Sequence, residues 1–237
     1  MDMRSWWGLP EADMYNMQKV VREAVDRSCG QLVEFFMERF GCNELLAYIA
    51  DKSGSLRCLR LVNCYQVRGD ALINMAKKAV LLEELEICYR TFSGDKLDML
   101  KTVGKACPQL KSFRLNCRGY MGPGRACDGE ALAIAQNMPQ LRRLHLFGNK
   151  LSNVGVKAIL DGCLHLEYLD LRQCFKVKLE GDLLKSCGDR LIELRHPHDS
   201  TDDYEFDDTF DDGYDYLSYT DTNLDLDLGY DDEYGSD

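Results

Sequence analysis

The chain has 237 residues, of which 45% are apolar, and it carries a formal net charge of −11. This length and apolar content are enough for one large or two small domains with a buried core, which excludes a wholly disordered chain. The sequence has no apolar signal segment at its N-terminus and no run of about 18 apolar residues, so we expect a cytoplasmic or nuclear protein that does not enter a membrane.

A leucine phrase, LxxLxL or a close variant, recurs along the chain. Its copies are spaced by 24, 26, 28, 31, 25 and 25 residues and begin at Leu32, Leu56, Leu82, Leu110, Leu141, Leu166 and, incompletely, Leu191. The copies at Leu141 and Leu166 are followed, eight residues on, by Asn149 and Cys174. Asn or Cys at this place is typical of a leucine-rich repeat, because its side chain can bond the backbone where the chain leaves the strand.

A second apolar pattern, at helical spacing, separates the phrases. We take as reference the residue three positions before the leading leucine of each phrase. Apolar side chains lie seven and four residues before this reference (positions −7 and −4), and the three positions share one helix face. The columns are Leu46, Leu72, Leu100, Ala131 and Val156 at −7, then Ile49, Met75, Val103, Ile134 and Ile159 at −4, and Ser53, Ala79, Cys107, Met138 and Cys163 at the reference position. Each unit is therefore predicted to be a short strand followed by a helix, with Ser93, Asp128 and Ser152 as N-caps.

Stacked units of this kind form an α/β leucine-rich-repeat solenoid, or horseshoe. The parallel sheet lies on its concave face and the helices on its convex face. We predict that this solenoid of about seven repeats occupies residues 1–198, because one such unit cannot bury its apolar face alone whereas stacked neighbours can.

The cysteines fit this interpretation as buried thiols. The chain has 11 of them, and an odd number argues against a closed disulfide framework. Cys107 and Cys163 fall in the reference column, and Cys64 and Cys174 at the turn after a strand, where a small hydrophobic side chain is expected.

A zinc site is the alternative for the remaining cysteines. The pairs to consider are Cys117 with Cys127, and Cys187 with His196 and His198. Neither shows the CxxC or His spacing of a structural zinc site, so we expect no metal and no cofactor. Catalytic motifs such as GxSxG and HExxH are absent from the sequence, and we expect a protein that is not an enzyme.

The longest repeat contains the segment from Arg118 to Cys127, in which Gly122, Pro123 and Gly124 predict a loop. Two interpretations remain open. The segment is either a tolerated insertion or a loop that overhangs the concave face, where insertions in repeat proteins often collect.

The residues between the leucines are predicted to face the concave surface, because side chains alternate along a strand. One column there is Phe36, Arg60, Glu86, Arg114, His145 and Asp170, and a neighbouring one is Glu38, Val62, Cys88, Asn116, Phe147 and Arg172. Alternating charges mixed with aromatic residues favour a protein partner over nucleic acid. The predicted partner-binding residues are Arg60, Glu86, Arg114, His145, Phe147, Tyr168, Asp170 and Arg172. The alternative is an ordinary solvated sheet face.

The charge is concentrated at the C-terminal end. Residues 199–237 contain 16 Asp or Glu and no Lys or Arg, which leaves 29 basic and 24 acidic residues in the remainder. Like charges without counter-charges repel, so we predict a disordered acidic tail. Within it, Leu224, Leu226 and Leu228 form an LxLxL pattern that resembles plant repressor motifs, which would imply a corepressor contact. A chance match in a low-complexity segment is the alternative.

Several segments together resemble the plant F-box/LRR-repeat proteins, and the resemblance runs from about Met1 to Asp208. These segments are Ala24–Leu32, Leu59–Tyr65, Leu146–Leu151, Leu169–Phe175 and Ser200–Asp208. Members of that family are substrate receptors of Skp1–cullin–F-box (SCF) ubiquitin ligases. The resemblance implies a protein substrate held on the concave face of the repeats and Skp1 held by an N-terminal F-box.

The start of the chain departs from that family pattern. Trp7–Glu11 superficially resembles the opening of an F-box, but only 22 residues separate Leu9 from Leu32, and Met14–Gly30 already has the pattern of the first repeat's helix. We therefore expect residues 1–237 to lack an F-box and to bind Skp1 only if an F-box lies upstream. Two hypotheses follow: a substrate receptor of a ubiquitin ligase, or a free-standing repeat protein that acts as a scaffold or inhibitor.

Overall fold

A computed structural model describes residues 1–2, 11–88, 96–117 and 125–204. Residues Met1–Asp202 form one compact unit. The expected disordered tail, the Leu224–Leu228 pattern, the N-cap Ser93 and the central part of the Arg118–Cys127 loop lie outside the described residues.

Strands and helices alternate through this unit, beginning with a helix. The helices described are α1 (Glu11–Arg27), α2 (Asn43–Lys52), α3 (Gly69–Lys78), α4 (Lys96–Ala106), α5 (Gly129–Asn137), α6 (Asn153–Gly162) and α7 (Gly181–Arg190). The strands described are β1 (Glu34–Glu38), β2 (Cys58–Val62), β3 (Glu84–Cys88), β4 (Ser112–Asn116), β5 (Arg143–His145), β6 (Tyr168–Asp170) and β7 (Glu193–Arg195). The first helix begins and ends three residues earlier than Met14–Gly30, the bounds expected from the sequence.

The strands form one parallel sheet in the order β1 to β7, with each strand beside its neighbour in the chain. Parallel neighbours require a crossover connection, and a helix provides each one. The leucines set the register: Leu59 lies beside Leu85, which lies beside Phe113. The prediction of an α/β solenoid is confirmed.

The core lies between the sheet and the helices. All residues of the predicted −7, −4 and reference columns are buried, and so are the leading leucines from Leu32 to Leu166. Each helix thus contributes one apolar stripe, and each strand contributes the side chains of alternate residues. None of the helices in the described part is long and apolar enough to cross a membrane.

The turn after each strand has a recurrent geometry. The residue seven positions after the leading leucine has a positive φ in four repeats, at Arg39, Asn63, Gly148 and Gln173. One position further on, Asn149 donates through Nδ2 to the carbonyl oxygens of Leu115 at 2.6 Å and Leu146 at 2.9 Å. The role predicted for this position, bonding backbone where the chain leaves the strand, is confirmed.

The same position holds a cysteine in other repeats. The thiol of Cys174 donates to the Leu146 carbonyl oxygen at 2.9 Å, and the thiol of Cys64 lies 3.4 Å from the Met37 carbonyl oxygen. Each of these bonds joins one repeat to the preceding one.

The two predicted N-caps within the described residues differ. The Ser152 side chain accepts a hydrogen bond from the backbone N–H of Val154, so it caps α6 as predicted. Asp128 occupies the N-cap position of α5 but makes no capping bond there, and that prediction is wrong. Its carboxylate instead accepts bonds from the Ser152 N–H, the Ser152 hydroxyl and the Gly155 N–H, and so ties the start of α5 to the start of α6.

Replacing Leu146 with Asp should destabilise the fold strongly. Leu146 is 2% exposed, and burying a carboxylate there without a partner should lower the free energy of unfolding by at least about 3 kcal/mol. Leu164 is 68% exposed, so Leu164→Asp is a matched control that should change it little. Urea denaturation measures both, and equal midpoints for the two variants would contradict the core assignment.

Replacing Asn149 tests the hydrogen bonds between repeats. Asn149→Ala leaves two buried carbonyl oxygens without this donor and should cost about 2 kcal/mol of stability. Asn149→Cys should cost less, because a cysteine donates to a carbonyl oxygen from the equivalent position of the next repeat. The two variants are compared by thermal and urea unfolding, and an equal loss in both would rule out this role.

Candidate partner-binding face

The face of the sheet that the helices do not cover carries the predicted site, and we call it the open sheet face. It consists of the residues that lie between the inward-pointing leucines. Strand register places its central row in the order Phe36, Arg60, Glu86, Arg114, His145, Asp170 and Arg195. A row is possible because in-register strands repeat at about 4.8 Å.

The first part of the row is built around a buried carboxylate. Glu86 lies between Arg60 and Arg114, with Arg60 Nε 3.5 Å from Oε2 and Arg114 Nη1 3.8 Å from Oε1. The thiol of Cys88 donates to Glu86 Oε1 at 3.2 Å. Burial, together with the Glu86 charge, raises the pKa of Cys88 well above its usual value, so this thiol stays protonated.

The second part of the row is built around Asp170, which is fully buried. Arg172 binds it with two nitrogens: Nη2 lies 2.7 Å from Oδ2, and Nε lies 3.0 Å from Oδ1. Burial alone would raise the pKa of Asp170, but the nearby His145 ring and the hydrogen bonds from Arg172 outweigh it and hold the pKa well below its usual value. Asp170 therefore remains an anion inside the row.

His145 connects this ion pair to an aromatic ring. Its Nδ1 lies 3.7 Å from Asp170 Oδ2, and its ring lies 4.7 Å from the ring of Tyr168. Burial lowers the pKa of His145, and the positive charge of Arg114 lowers it further, although Asp170 acts in the opposite direction. The imidazole is therefore neutral at pH 7, since the ordinary pKa of histidine is about 6.5.

Cations also lie over the aromatic rings of the face. The guanidinium of Arg143 lies 4.4 Å from the centre of the Tyr168 ring, Arg172 lies 5.7 Å from that of Phe147, and Arg60 lies 5.9 Å from that of Phe36. Cation–π contacts of this kind hold both groups in place. The structure thus brings His145, Phe147, Tyr168, Asp170 and Arg172 together in one cluster, and Arg60, Glu86 and Arg114 form an ion-pair network beside it.

The predicted site residues are more buried than a solvated sheet face would be. Arg60 and Arg114 are half-buried, but less than a tenth of the surface is exposed in Glu86, His145, Phe147, Tyr168, Asp170 and Arg172. The reason is lateral packing, because side chains in register on neighbouring strands contact one another. Arg143 is not among the residues predicted from the sequence, but its register with Tyr168 places it on the same face.

The residues just before the strands form a charged rim. Glu83 pairs with both Arg57 and Lys111, and Arg142 pairs with Glu167. Alternating signs and exposed positions make each pair weak, and the rim does not form a continuous basic stripe of the kind that binds nucleic acid.

The three cysteines considered for zinc are free thiols, like the other eight cysteines of the chain. Cys117 donates to Asn149 Oδ1 at 3.5 Å, whereas Cys127 is exposed. Cys187 is buried, while His196 and His198 are at the surface. Among the residues with described positions, no three His, Cys, Asp or Glu side chains gather in a group that could hold a metal.

Comparison with known proteins identifies relatives of the chain. No protein-family model matches the chain. F-box protein SKIP19 of Arabidopsis thaliana is 43% identical over 233 residues, which cover 98% of this chain and 72% of the relative. F-box/LRR-repeat protein 21 of the same plant is 44% identical over 211 residues, which cover 81% of this chain and 67% of the relative.

The chain belongs to the plant F-box/LRR-repeat family. F-box/LRR-repeat protein 23 of Arabidopsis thaliana is 46% identical over 189 residues, and this match spans 79% of the chain but 41% of the relative. The chain therefore corresponds to between two fifths and three quarters of the length of these F-box/LRR-repeat relatives.

Two solved structures are more distantly similar. The C-terminal domain of tropomodulin from Caenorhabditis elegans has a TM-score of 0.44 at 12% identity and covers 62% of this chain and 92% of its own. A chain of the yeast Rad7 and Elc1 complex has a TM-score of 0.46 at 15% identity and covers 73% of this chain and 52% of its own.

Replacing Asp170 with Asn should destabilise this F-box/LRR-repeat chain. The variant leaves the buried guanidinium of Arg172 without its carboxylate, which should lower the free energy of unfolding by about 3–5 kcal/mol. Asp161→Asn is a matched control, because Asp161 pairs with Lys157 at an exposed site on α6, where a pair contributes at most about 1 kcal/mol. Chemical denaturation compares the two, and equal losses would contradict the buried ion pair.

Proposed function

We propose that this chain is the target-recognition module of an SCF-type ubiquitin-ligase receptor and that its open sheet face binds a protein segment. Membership of the F-box/LRR-repeat family supports the first part. The composition of the central row supports the second, since Arg60, Glu86, Arg114 and Asp170 alternate in sign beside aromatic rings. Arginine and aromatic side chains dominate the binding energy at protein interfaces.

The chemistry of the row selects the class of partner. Its buried carboxylates offset the arginines beside them, so the face does not present the uniform positive charge that a polyanion requires. A protein segment that carries charges of both signs and an apolar side chain matches it better. In this proposal the chain performs no covalent chemistry, and the ligase to which it is joined transfers ubiquitin.

A second candidate function is a free-standing scaffold or inhibitor that holds the same target without recruiting a ligase. Its basis is the open sheet face, which would bind a target in the same way with or without a ligase. The two functions differ in what accompanies the target and in whether the target is degraded.

The binding surface can be tested by crosslinking followed by affinity measurements. A photo-crosslinking residue at Arg143, which is exposed on the face, captures the target in plant cells, and the same residue at Lys157 on α6 is the control. With the captured protein purified, Arg60→Ala, Arg114→Ala and Tyr168→Ala should each weaken binding about tenfold or more, while Lys157→Ala changes it little. If the three face variants leave binding within about 0.5 kcal/mol and Lys157→Ala abolishes it, the face is the wrong surface.

The ligase role is tested at the endogenous locus, so that any upstream segment is retained. Co-purification of a Skp1 protein, together with a target whose lifetime lengthens when the locus is deleted, is the expected result. A target whose lifetime does not change, recovered without Skp1, would favour the scaffold or inhibitor.

A further inference from the structure

The last repeat exposes side chains that the other repeats bury. In the −4 column, Ile49, Met75, Val103, Ile134 and Ile159 are fully buried, whereas the equivalent Leu184 is 39% exposed. Leu191 and Leu194 are only partly buried, although Leu166 and Leu169 at the same places one repeat earlier are buried. Ile192, at a place that is not buried in the earlier repeats either, adds an apolar side chain that is 83% exposed. Within the described residues, the C-terminal end of the stack therefore leaves part of the core uncovered.

The N-terminal end of the same stack is covered. Helix α1 buries Met17, Val21 and Val25 against the core. The first residues of the chain also pair with the outer edge of β1, where the Phe36 N–H donates to the Met1 carbonyl oxygen at 3.0 Å. A solenoid requires such a cap at each end to keep its core from water.

Strand β7 presents backbone groups on its outer edge. The Glu193 N–H donates to the Glu167 carbonyl oxygen at 3.1 Å, and the Arg195 carbonyl oxygen accepts from the Leu171 N–H at 3.0 Å. Both residues therefore direct their peptide groups toward β6, and Leu194 between them directs its N–H and C=O outward. Within the described chain, β7 pairs with β6 alone.

The charges that flank Leu194 are self-complementary. If two β7 strands run antiparallel about a two-fold axis at Leu194, the two Leu194 residues exchange both backbone hydrogen bonds. Glu193 of each copy then lies directly opposite Arg195 of the other copy, on the open sheet face. Arg195 is already held on that face by Asp199 at 3.8 Å and by the Ser200 carbonyl oxygen at 3.3 Å. Opposite charges directly across two strands stabilise the pairing.

We infer that the C-terminal edge of the solenoid binds a second copy of this chain, through antiparallel pairing of β7 about Leu194. The pairing joins the two sheets edge to edge and brings the exposed apolar side chains of the two last repeats toward each other. A second copy is favoured over an unrelated partner because the two-fold arrangement satisfies both charged pairs and both Leu194 peptide groups with the same short segment.

The test is the mass of the full chain in solution, measured by light scattering and sedimentation. Wild-type protein should reach twice its chain mass of 27.1 kDa. Glu193→Arg and Arg195→Glu each place like charges opposite one another twice and should raise the dissociation constant at least about tenfold. Glu34→Arg is the matched control, because Glu34 is an exposed glutamate that holds on β1, at the other edge of the sheet, the place that Glu193 holds on β7, and its replacement should not affect the mass.

Two rescue experiments separate this pairing from a general loss of stability. An equimolar mixture of Glu193→Arg and Arg195→Glu proteins should form heterodimers, since the opposite charges meet again, and the double variant Glu193→Arg/Arg195→Glu should form homodimers. Circular dichroism melts check that each variant is folded. A wild-type chain that stays monomeric at about 0.1 mM, or single variants that neither lose dimerisation nor recover it on mixing, would overturn the inference.

Discussion

The stacking of one leucine row on the next is the contact on which the rest of the molecule depends. A single strand and helix leave one apolar face uncovered, so each repeat is stable only because its neighbour covers it. The fully buried Leu59, Leu85 and Phe113 illustrate this, since each lies beside its counterpart in the next strand. Hydrogen bonds that cross the same boundary, such as that of Asn149 to the Leu115 carbonyl oxygen, fix how far each repeat is offset from the preceding one.

The same register generates the open sheet face. Once the leucines are aligned, the residues between them are also aligned, and charges far apart in the sequence meet across neighbouring strands. Glu86 is 26 residues after Arg60 and 28 residues before Arg114, yet the three form one ion-pair network. The arrangement of this face is therefore a consequence of core packing and does not require loops that fold over it.

The features that depend on the spacing of the repeats could be predicted from the sequence. The strands, the helix columns, the turn roles of Asn149 and Cys174, and the order of the central row all follow from repeat spacing. Rotamer choice and local competition between hydrogen-bond donors do not follow from it. For this reason the sequence did not predict that Asp170 and His145 are buried. It also did not predict that the Asp128 carboxylate accepts hydrogen bonds from Ser152 and Gly155 and not from its own helix. Arg143 was missed because its importance comes from the ring of Tyr168, one strand away.

Alkylation of the buried free cysteines can report which parts of the solenoid open. Cys64, Cys107, Cys163 and Cys187 are buried in different repeats, and burial raises the pKa of Cys107 and of Cys163 to about 11. A thiol in that state reacts with an alkylating reagent only after its surroundings open, because the thiolate is the reactive form. The order in which these residues become alkylated would therefore map which repeats separate first, without any engineered cysteine.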